Sequence, residues 1–343
     1  MKRWYLYPFS LVYHLITALR NRMYDWGILK STRFRTPIIG VGNLSVGGSG
    51  KSPLVMYLAE LLSEYGRTGV LSRGYGRKTK GYYVVNYDSN HLMVGDEAIQ
   101  LFQRFKNKFV IGVCENRVFG AKKLITDMDL RVLILDDSYQ HRAIKAGLNI
   151  LLTDFNAPYF QDFLLPAGDL RESRRGAKRA NIIIITKCPE NLSQEVRQKY
   201  IDKIKPKHYQ KIFFSYINYE GFLLSKSKKL PIENLIYYDV LLLTGIANPA
   251  PMLQELSKHI SKGKIKHLSY KDHHNFDAQD VKKIAEEYRK LGQYKIILTT
   301  EKDFARLMGF DYFSDKLFYW PINIDLENKE VFNQIILDYV RKN

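Results

Sequence analysis

The chain is poor in cysteine and in acidic residues, and each shortage narrows the class of protein. Its 343 residues contain two cysteines, Cys114 and Cys188, which are too few for a disulfide framework or a zinc site. A reducing cytosolic setting is the simple interpretation. Asp and Glu number 35 against 53 Lys and Arg, which leaves a net charge of +18. That excess favours an anionic partner: nucleic acid, an anionic membrane surface or a phosphorylated substrate.

The first thirty residues contain no apolar run suited to crossing a bilayer. The run from Trp4 to Leu19 is interrupted by Pro8 and His14, and a span needs about 20 predominantly apolar residues. A small-residue cleavage site is missing too, which argues against a removed signal peptide. Aromatic residues flanked by Lys and Arg favour a helix lying in the membrane interface. We assign this role to residues 1–30; a helix packed on the protein's own core is the alternative.

The stretch from Pro37 to Leu62 holds the most informative pattern. β-forming residues at 38–41 are followed by a glycine-rich loop, by Lys51 and Ser52, and by a helix with one apolar face. This order predicts a P-loop, in which backbone amides and the lysine bind nucleotide phosphates. Ser45 departs from G-x-x-x-x-G-K-[ST], and a glycine-rich turn before an ordinary helix is the alternative. The predicted nucleotide contacts are Ser45, Val46, Gly47, Gly48, Ser49, Gly50, Lys51 and Ser52.

A second acidic pattern supports the P-loop. Residues 131–135 predict a buried strand, and Asp136 and Asp137 follow it directly. In P-loop enzymes an acid at such a strand end holds magnesium, together with the hydroxyl of the loop, here Ser52. A pair of turn aspartates is the alternative. Arg117 follows another predicted strand, where ligand contacts of α/β sheets lie, and residues 138–142 continue the same edge.

The order of predicted elements indicates the fold class. Strands alternate with helices, which predicts an α/β fold with a doubly wound, mostly parallel sheet of the P-loop NTPase type. A second, smaller α/β domain follows, joined by a β-ribbon linker. The boundaries are placed at 31–206 for the P-loop core, 207–232 for a two-stranded linker and 233–343 for the C-terminal domain.

Three further polar residues are candidates on weaker grounds. Asp96 opens a predicted helix, where an acid often only complements the helix dipole. His273 and His274 have no Cys or His partners at metal spacing. From the residues alone a structural or surface role for these two histidines is the more common outcome.

Eight stretches together resemble the tetraacyldisaccharide 4'-kinase family, the lipid A 4'-kinases of Gram-negative bacteria. They are GVGNLSVGGSGKSP, LSRGYGR, VGDEA, LDDSYQHR, LLPAGDLRE, GIANP, DHHNF and TTEKD, spread over residues 40–303. The resemblance implies transfer of the γ-phosphoryl group of ATP to the 4'-hydroxyl of an acylated glucosamine disaccharide 1-phosphate, with Mg2+. The product is lipid IVA. It also implies a helix resting on the cytoplasmic face of the inner membrane, and we expect a peripheral monomer.

The resemblance also implies residue roles. Asp96 matches the family's general base, and His273 matches the histidine that orients it. Arg117 and Arg171 are candidate clamps on phosphate oxygens, and Glu172 is a candidate for binding or ordering the metal shell. This assignment, with Lys51 as the third catalytic residue, requires the C-terminal domain to face the N-terminal one across a cleft.

Two other functions fit parts of the pattern. A P-loop switch acting on RNA would suit the positive charge, but Thr186-Lys-Cys-Pro189 departs from the base-reading [NT]-K-x-D and no RNA-binding signature is present. We therefore expect no nucleic-acid partner. A membrane-docked scaffold with a retained nucleotide site is the other possibility; Asp96, Asp136, Asp137 and His273 argue against it.

Overall fold

Two mostly parallel sheets organise the chain, and each is the centre of one unit. The structure is a computed structural model that describes residues 3–272, 274–313 and 315–343. The first unit comprises residues up to 217 together with 324–343, and the second comprises residues 218–323.

The part of the chain that the structure describes forms fifteen strands and ten α-helices. The strands are β1 (Ile38–Asn43), β2 (Thr68–Ser72), β3 (Tyr83–Val84), β4 (Val110–Val113), β5 (Val132–Leu135), β6 (Leu148–Asp154), β7 (Ile182–Thr186), β8 (Lys211–Tyr219), β9 (Phe222–Leu224), β10 (Lys229–Pro231), β11 (Asp239–Thr244), β12 (Ile265–Ser269), β13 (Lys295–Thr299), β14 (Leu317–Tyr319) and β15 (Ile322–Leu326). The helices are α1 (Tyr7–Asp25), α2 (Lys51–Ser63), α3 (His91–Val94), α4 (Asp96–Phe105), α5 (Arg117–Met128), α6 (Gln194–Ile204), α7 (Ala250–His259), α8 (Ala278–Arg289), α9 (Glu301–Leu307) and α10 (Lys329–Lys342).

The sheet of the first unit has the strand order β15-β8-β7-β6-β1-β5-β2-β4-β3. β1 pairs in parallel with β5 on one side and β6 on the other, and β3 runs antiparallel to β4. β1, β5 and β7 are buried along their whole length, as expected for parallel strands covered on both faces. The carboxyl ends of β1 and β5 are therefore neighbours, and that edge is where open α/β sheets bind ligands.

The sheet of the second unit has the order β10-β9-β14-β13-β11-β12. β11 to β14 pair in parallel, whereas β9 and β10 are antiparallel additions at one edge. One face packs on a cluster containing Leu242, Leu298 and Trp320, and another cluster contains Leu243 and Ile297. This is a second α/β core, as the sequence predicted.

The chain passes between the units through β8 and β15, which are neighbours in the larger sheet. The sequence predicted a two-stranded linker within residues 207–232, and this prediction is wrong. In that range β8 pairs with β7 of the larger sheet, whereas β9 pairs with β10 and β14 of the smaller sheet. Residues 324–343 belong to the first unit and not to a domain beginning at 233. The Tyr339 hydroxyl on α10 bonds both the carbonyl and the amide of Ile38, at 3.0 and 3.1 Å. The prediction failed because alternating apolar residues indicate where a strand forms but do not specify which strand it pairs with.

α1 presents an apolar surface to solvent. Ser10 is its one buried residue, and Phe9, Leu15 and Leu19 are 64%, 69% and 58% exposed. Its inward contacts include the hydrogen bonds of Ser10, Tyr13 and Asn21 and a ring contact of Tyr7, so the helix rests on the unit with its apolar residues turned outward. Within the described ranges, no helix combines the length and apolarity that a bilayer crossing requires.

Candidate active site

The loop between β1 and α2 has the backbone that a P-loop needs. Gly50 precedes α2 at φ +80, a conformation that favours glycine. Gly42 lies against the chain following β5, because a Cβ there would come within 2.7 Å of the Tyr139 Cβ. Lys51 and Ser52 open the helix, so the predicted nucleotide loop at 45–52 sits at a helix N-terminus.

Neighbouring segments hold this loop on both sides. On one side, the Val46 amide donates to the Asp169 carbonyl at 2.8 Å. On the other, the Thr186 hydroxyl donates to the Ser49 carbonyl at 2.9 Å, and the Lys187 ammonium donates to the Gly48 carbonyl. These bonds anchor the loop through the Val46 amide and through the carbonyl groups of Gly48 and Ser49.

Lys51 lies between two oxygen groups. Its Nζ donates to Asn43 Oδ1 at 3.2 Å and lies 3.6 Å from Asp137 Oδ1. Asp137 also accepts from Arg171 Nη1 at 3.0 Å. Burial opposes ionisation of Asp137, yet Lys51 and Arg171 hold its pKa below the usual value. The carboxylate is therefore charged at neutral pH and orients both cations.

Asp136 is nearly fully buried, at 3% exposed, and its pKa shifts in the opposite direction to that of Asp137. Burial raises the pKa of Asp136, and the negative charges of Glu97 and Asp137 add to that effect. Its Oδ1 has no hydrogen-bond partner in the described part of the chain. A buried carboxylate oxygen without a partner beside a P-loop fits a hard cation such as Mg2+, which binds through one or two carboxylates plus phosphates. The Ser52 hydroxyl supplies another oxygen of the same kind.

Arg117 is the first residue of α5 and is 2% exposed. Its guanidinium donates to the Cys114 carbonyl at 2.6 Å and to the Asp136 carbonyl at 3.4 Å. Burial lowers its pKa to about 10, and the two aspartates oppose that shift. Arg117 therefore remains charged at neutral pH and lies against the chain that carries the aspartates.

Glu172 connects three segments through its carboxylate, which is buried. It accepts from Asn21 of α1 at 3.0 Å, from Gln140 at 3.1 Å and from Arg179 at 2.7 Å. With these donors in place, Glu172 ties α1 to the loop that follows β5. Two roles were predicted for Glu172, binding the metal directly or ordering its surroundings. Because its carboxylate already accepts three hydrogen bonds, the structure favours the ordering role.

Asp96 opens α4 directly after Gly95, whose φ is +90. The next residue, Glu97, acts electrostatically on Asp136, so the start of α4 lies close to the buried carboxylates. His273 falls outside the described residues, and its predicted pairing with Asp96 stays a prediction. The neighbouring His274 bonds Asp280 Oδ2 at 2.6 Å, which is a contact within the second unit.

Sequence reasoning gave no role to Asn43 and Gln140. Asn43 binds Lys51 as described, and Gln140 donates to the Asn43 carbonyl at 2.9 Å. A signal was available, because Gln140 belongs to the stretch that continues the edge after the two aspartates. Amides have no distinctive spacing, which is why the pattern did not single them out.

His141 is a further residue of the same stretch that had no predicted role. Burial lowers its pKa to about 4, and the positive charges of Arg117, Arg73 and Arg20 act in the same direction. The imidazole is therefore neutral at physiological pH. Arg73 comes from the glycine-arginine stretch after β2, so that stretch also faces this site.

A P-loop, two acids at the end of the adjacent strand and several converging arginines define the site of a P-loop phosphotransferase. Comparison with known proteins identifies the family of phosphotransferases. The family model "Tetraacyldisaccharide-1-P 4'-kinase" matches residues 2–341. This chain belongs to that family.

Individual relatives agree over nearly the whole chain. The tetraacyldisaccharide 4'-kinase of Flavobacterium johnsoniae is 43% identical over 340 residues, covering 98% of this chain and 97% of the relative. That of Bacteroides thetaiotaomicron is 39% identical over 358 residues, covering 99% and 93%. Among solved structures, LpxK from Aquifex aeolicus in complex with ATP matches with a TM-score of 0.77 at 30% identity, covering 99% of this chain and 100% of that one.

These findings confirm the predicted fold class and activity. The activity is ATP-dependent phosphorylation of the 4'-hydroxyl of a tetraacyldisaccharide 1-phosphate, a step of lipid A biosynthesis, with ATP and Mg2+ as cofactors.

Proposed function

We propose that the cluster around Asp137 performs the phosphoryl transfer of this family. The observation that carries the proposal is the meeting of Lys51 and Arg171 on one carboxylate, at 3.6 and 3.0 Å, beside the P-loop. Mg2+, when bound, neutralises charge on the β- and γ-phosphates. The residues that would hold it are Ser52, Asp136 and Asp137.

The protein's own groups then have distinct tasks. Loop amides of residues 47–50 and the start of α2 bind phosphate oxygens, whereas the amide of Val46 bonds Asp169. Lys51 exchanges its Asp137 contact for the β- and γ-oxygens. Arg117 and Arg171 clamp phosphate oxygens, which positions the group in line with the acceptor. Glu172 orders the loop carrying Arg171 through its bonds to α1.

Asp96 is proposed as the group that takes the proton of the 4'-hydroxyl, with His273 orienting it. A positioned acceptor near the nucleophile is required in such a reaction, and the start of α4 lies close to Asp136. Asp96→Asn and His273→Ala should each lower kcat by about 10²–10⁴-fold with little change in ATP binding. The double variant should be little worse than either single, because groups that act as a unit are non-additive.

His274→Ala is the matched control, because it removes the adjacent imidazole, whose contact is with Asp280. It should leave kcat close to wild type. Fully multiplicative losses in the double variant would show that Asp96 and His273 act independently and would remove the pair from the mechanism.

α1 is proposed to dock the enzyme on the cytoplasmic face of the inner membrane, as a peripheral monomer without a nucleic-acid partner. Its outward apolar side chains, with the polar bonds of Ser10, Tyr13 and Asn21 turned inward, support this role. Trp4 and Trp26, 82% and 65% exposed at its two ends, are residues that favour the interface.

The docking role is tested by replacing the exposed side chains while keeping the inward bonds. Phe9→Ser/Leu15→Ser/Leu19→Ser should reduce flotation with liposomes by more than about tenfold, given roughly 0.8 kcal/mol per buried methylene. A control with Ile236, Tyr294 and Val331 changed to Ser, which are 56%, 65% and 57% exposed, should float like wild type. Equal flotation of the two variants would contradict docking through α1.

A further inference from the structure

A second concentration of positive charge lies in the first unit, apart from the P-loop. It is a cavity of about 360 Å³, a size within the range of small-ligand sites. Its lining comes from the segment after Glu172, from the end of α6 and the chain beyond it, and from residues 159–160. The lining residues are Tyr159, Phe160, Arg174, Arg175, Ala177, Lys178, Lys203, Ile204, Lys205, Lys207 and Gln210.

The charges of this basic cavity are unusually one-sided. Six of its lining residues are Arg or Lys, and none of those described there is acidic. Elsewhere in the unit lysines pair with carboxylates, as Lys108 does with Glu60 and Lys187 with Asp154. Like charges gathered in a concave wall repel one another and focus a positive potential. An anion bound in the cavity would relieve that repulsion.

The cavity also has a fixed frame and an apolar floor. Tyr159 is 4% exposed, and Gln210 is buried with its amide donating to the Ala177 and Ala180 carbonyls at 2.9 and 2.8 Å. Arg174 donates twice to the Asp162 carbonyl, at 3.1 and 2.6 Å. The lining is therefore a folded wall with cations at its rim, suited to a phosphate carried on a small organic group.

The cavity lies near α1. Phe160 lines it, and three residues further on the Phe163 ring packs edge-on against Tyr7 of α1, with centroids 6.1 Å apart. Three residues of chain span at most about 11 Å. Ser10 of α1 also donates to the Leu164 carbonyl at 3.0 Å. The wall of the basic cavity is thus continuous along the chain with the segment on which α1 rests.

We propose that the basic cavity binds the phosphate-bearing headgroup of an anionic phospholipid in the membrane on which α1 docks. This inference rests on the docking role proposed for α1. The binding of an amphipathic helix to a membrane combines an apolar contribution from its buried face with an electrostatic contribution from basic residues that face anionic lipids. α1 supplies the first, and the cavity supplies the second. A free phosphate compound offers the same chemistry, and the test separates the two sources.

The test uses the full chain with Lys178, Lys203 and Lys207 changed to Gln, one from the first lining segment and two from the second. A matched control carries Lys122→Gln, Lys199→Gln and Lys342→Gln, which are exposed and outside the cavity lining. Both are floated with vesicles of phosphatidylcholine alone and of phosphatidylcholine with phosphatidylglycerol in equal parts. Transfer activity on detergent-dispersed substrate should equal wild type in both, which verifies the fold.

The cavity variant should lose the extra binding given by phosphatidylglycerol by about 10- to 100-fold, since each Lys near an anionic surface contributes roughly fivefold. The control should lose less than about threefold. Equal losses in both variants would show an effect of net charge alone and overturn the proposal. Binding to vesicles of phosphatidylcholine alone measures docking by α1. A failure of the α1 proposal would therefore appear with these vesicles and can be told apart from a failure of the cavity proposal.

Calorimetric titration with glycerol 1-phosphate and inorganic phosphate tests whether the cavity binds a soluble phosphate compound. No binding of either by wild type, with the vesicle effect intact, supports the headgroup. A different result would overturn the proposal. If the cavity variant loses the binding of these compounds and the control keeps it, while the two variants bind vesicles equally, the ligand of the cavity is a soluble phosphate compound and not a lipid headgroup.

Discussion

Two buried aspartates, one in each unit, differ in how their carboxylate oxygens are bonded. Asp303, in the second unit, is fully buried; it accepts from the Gly245 amide at 2.8 Å, the Thr300 hydroxyl at 2.7 Å and Arg306 at 3.1 Å. Asp136, in the first unit, is almost as buried, but its Oδ1 has no partner among the described residues. The first carboxylate is satisfied by the fold, whereas the second is placed for a ligand.

The comparison shows that resemblance to a family does not sort residues by role. Gly245 and Asp303 belong to the GIANP and TTEKD stretches, and a Cβ on Gly245 would come within 2.8 Å of Asp303 Oδ1. Those two stretches join each other in the core of the second unit. Asp136 belongs to a stretch whose oxygens face the P-loop lysine. Bonding, not burial, separates a structural acid from a ligand acid.

The largest expected effect is the loss of the P-loop lysine. Lys51→Ala should reduce transfer by about 10³-fold or more, because it removes charge stabilisation at the phosphates, while the far-UV circular dichroism stays unchanged. Lys122→Ala, which removes an exposed lysine from α5, is the control. Near-normal turnover in folded Lys51→Ala protein would remove the P-loop from the mechanism.

The second prediction concerns the satisfied aspartate. Asp303→Asn should destabilise the second unit by about 3–5 kcal/mol, because it removes the carboxylate charge that faces the buried Arg306 at 3.1 Å. Trp320 is 2% exposed in that unit, whereas Trp4 and Trp26 are exposed, so tryptophan fluorescence in urea reports the second unit selectively. Asp311→Asn, on an exposed acid, should unfold like wild type. Equal midpoints for both would contradict the structural role of Asp303.

The third prediction tests the support of the P-loop. Thr186→Val removes the hydroxyl that bonds the Ser49 carbonyl and should raise the KM for ATP several-fold. Thr299→Val is a matched control, since its buried hydroxyl donates to the Leu243 carbonyl at 2.9 Å in the second unit. Both should lose about 1 kcal/mol of stability. A KM that rises equally in both variants would show that the loop bond has no special role.

The fourth prediction is a pH dependence of stability. The folded pKa of His141, about 4, is below the ordinary value near 6.5, so the unfolded chain binds the proton first. Stability from this group is present above about 6.5 and is lost as pH falls toward 4. The advantage of wild type over His141→Gln, measured by calorimetry, should shrink across that range. An advantage that grows on acidification would reverse the sign and contradict the buried neutral imidazole.

Much of the first unit was predictable because its signals are local. The P-loop and the acids after β5 are contiguous patterns, so their positions follow from strand order. The bonds of Thr186 and Lys187 to the loop join residues about 137 apart, and no local pattern encodes such partners. The same holds for Glu172 with Asn21, and for α10, whose Tyr339 returns to β1 across 301 positions. Long-range partners depend on packing, which spacing alone does not specify.

The ligand role of Asp136 is tested most directly by the rate at which Asp136→Asn transfers labelled phosphate from ATP to detergent-dispersed tetraacyldisaccharide 1-phosphate. We expect a loss of about 10²-fold or more. The free energy of unfolding should stay equal or rise, because the change removes a buried carboxylate that lacks a partner. Transfer near the wild-type rate, or a loss that occurs only with destabilisation like that of Asp303→Asn, would contradict that role.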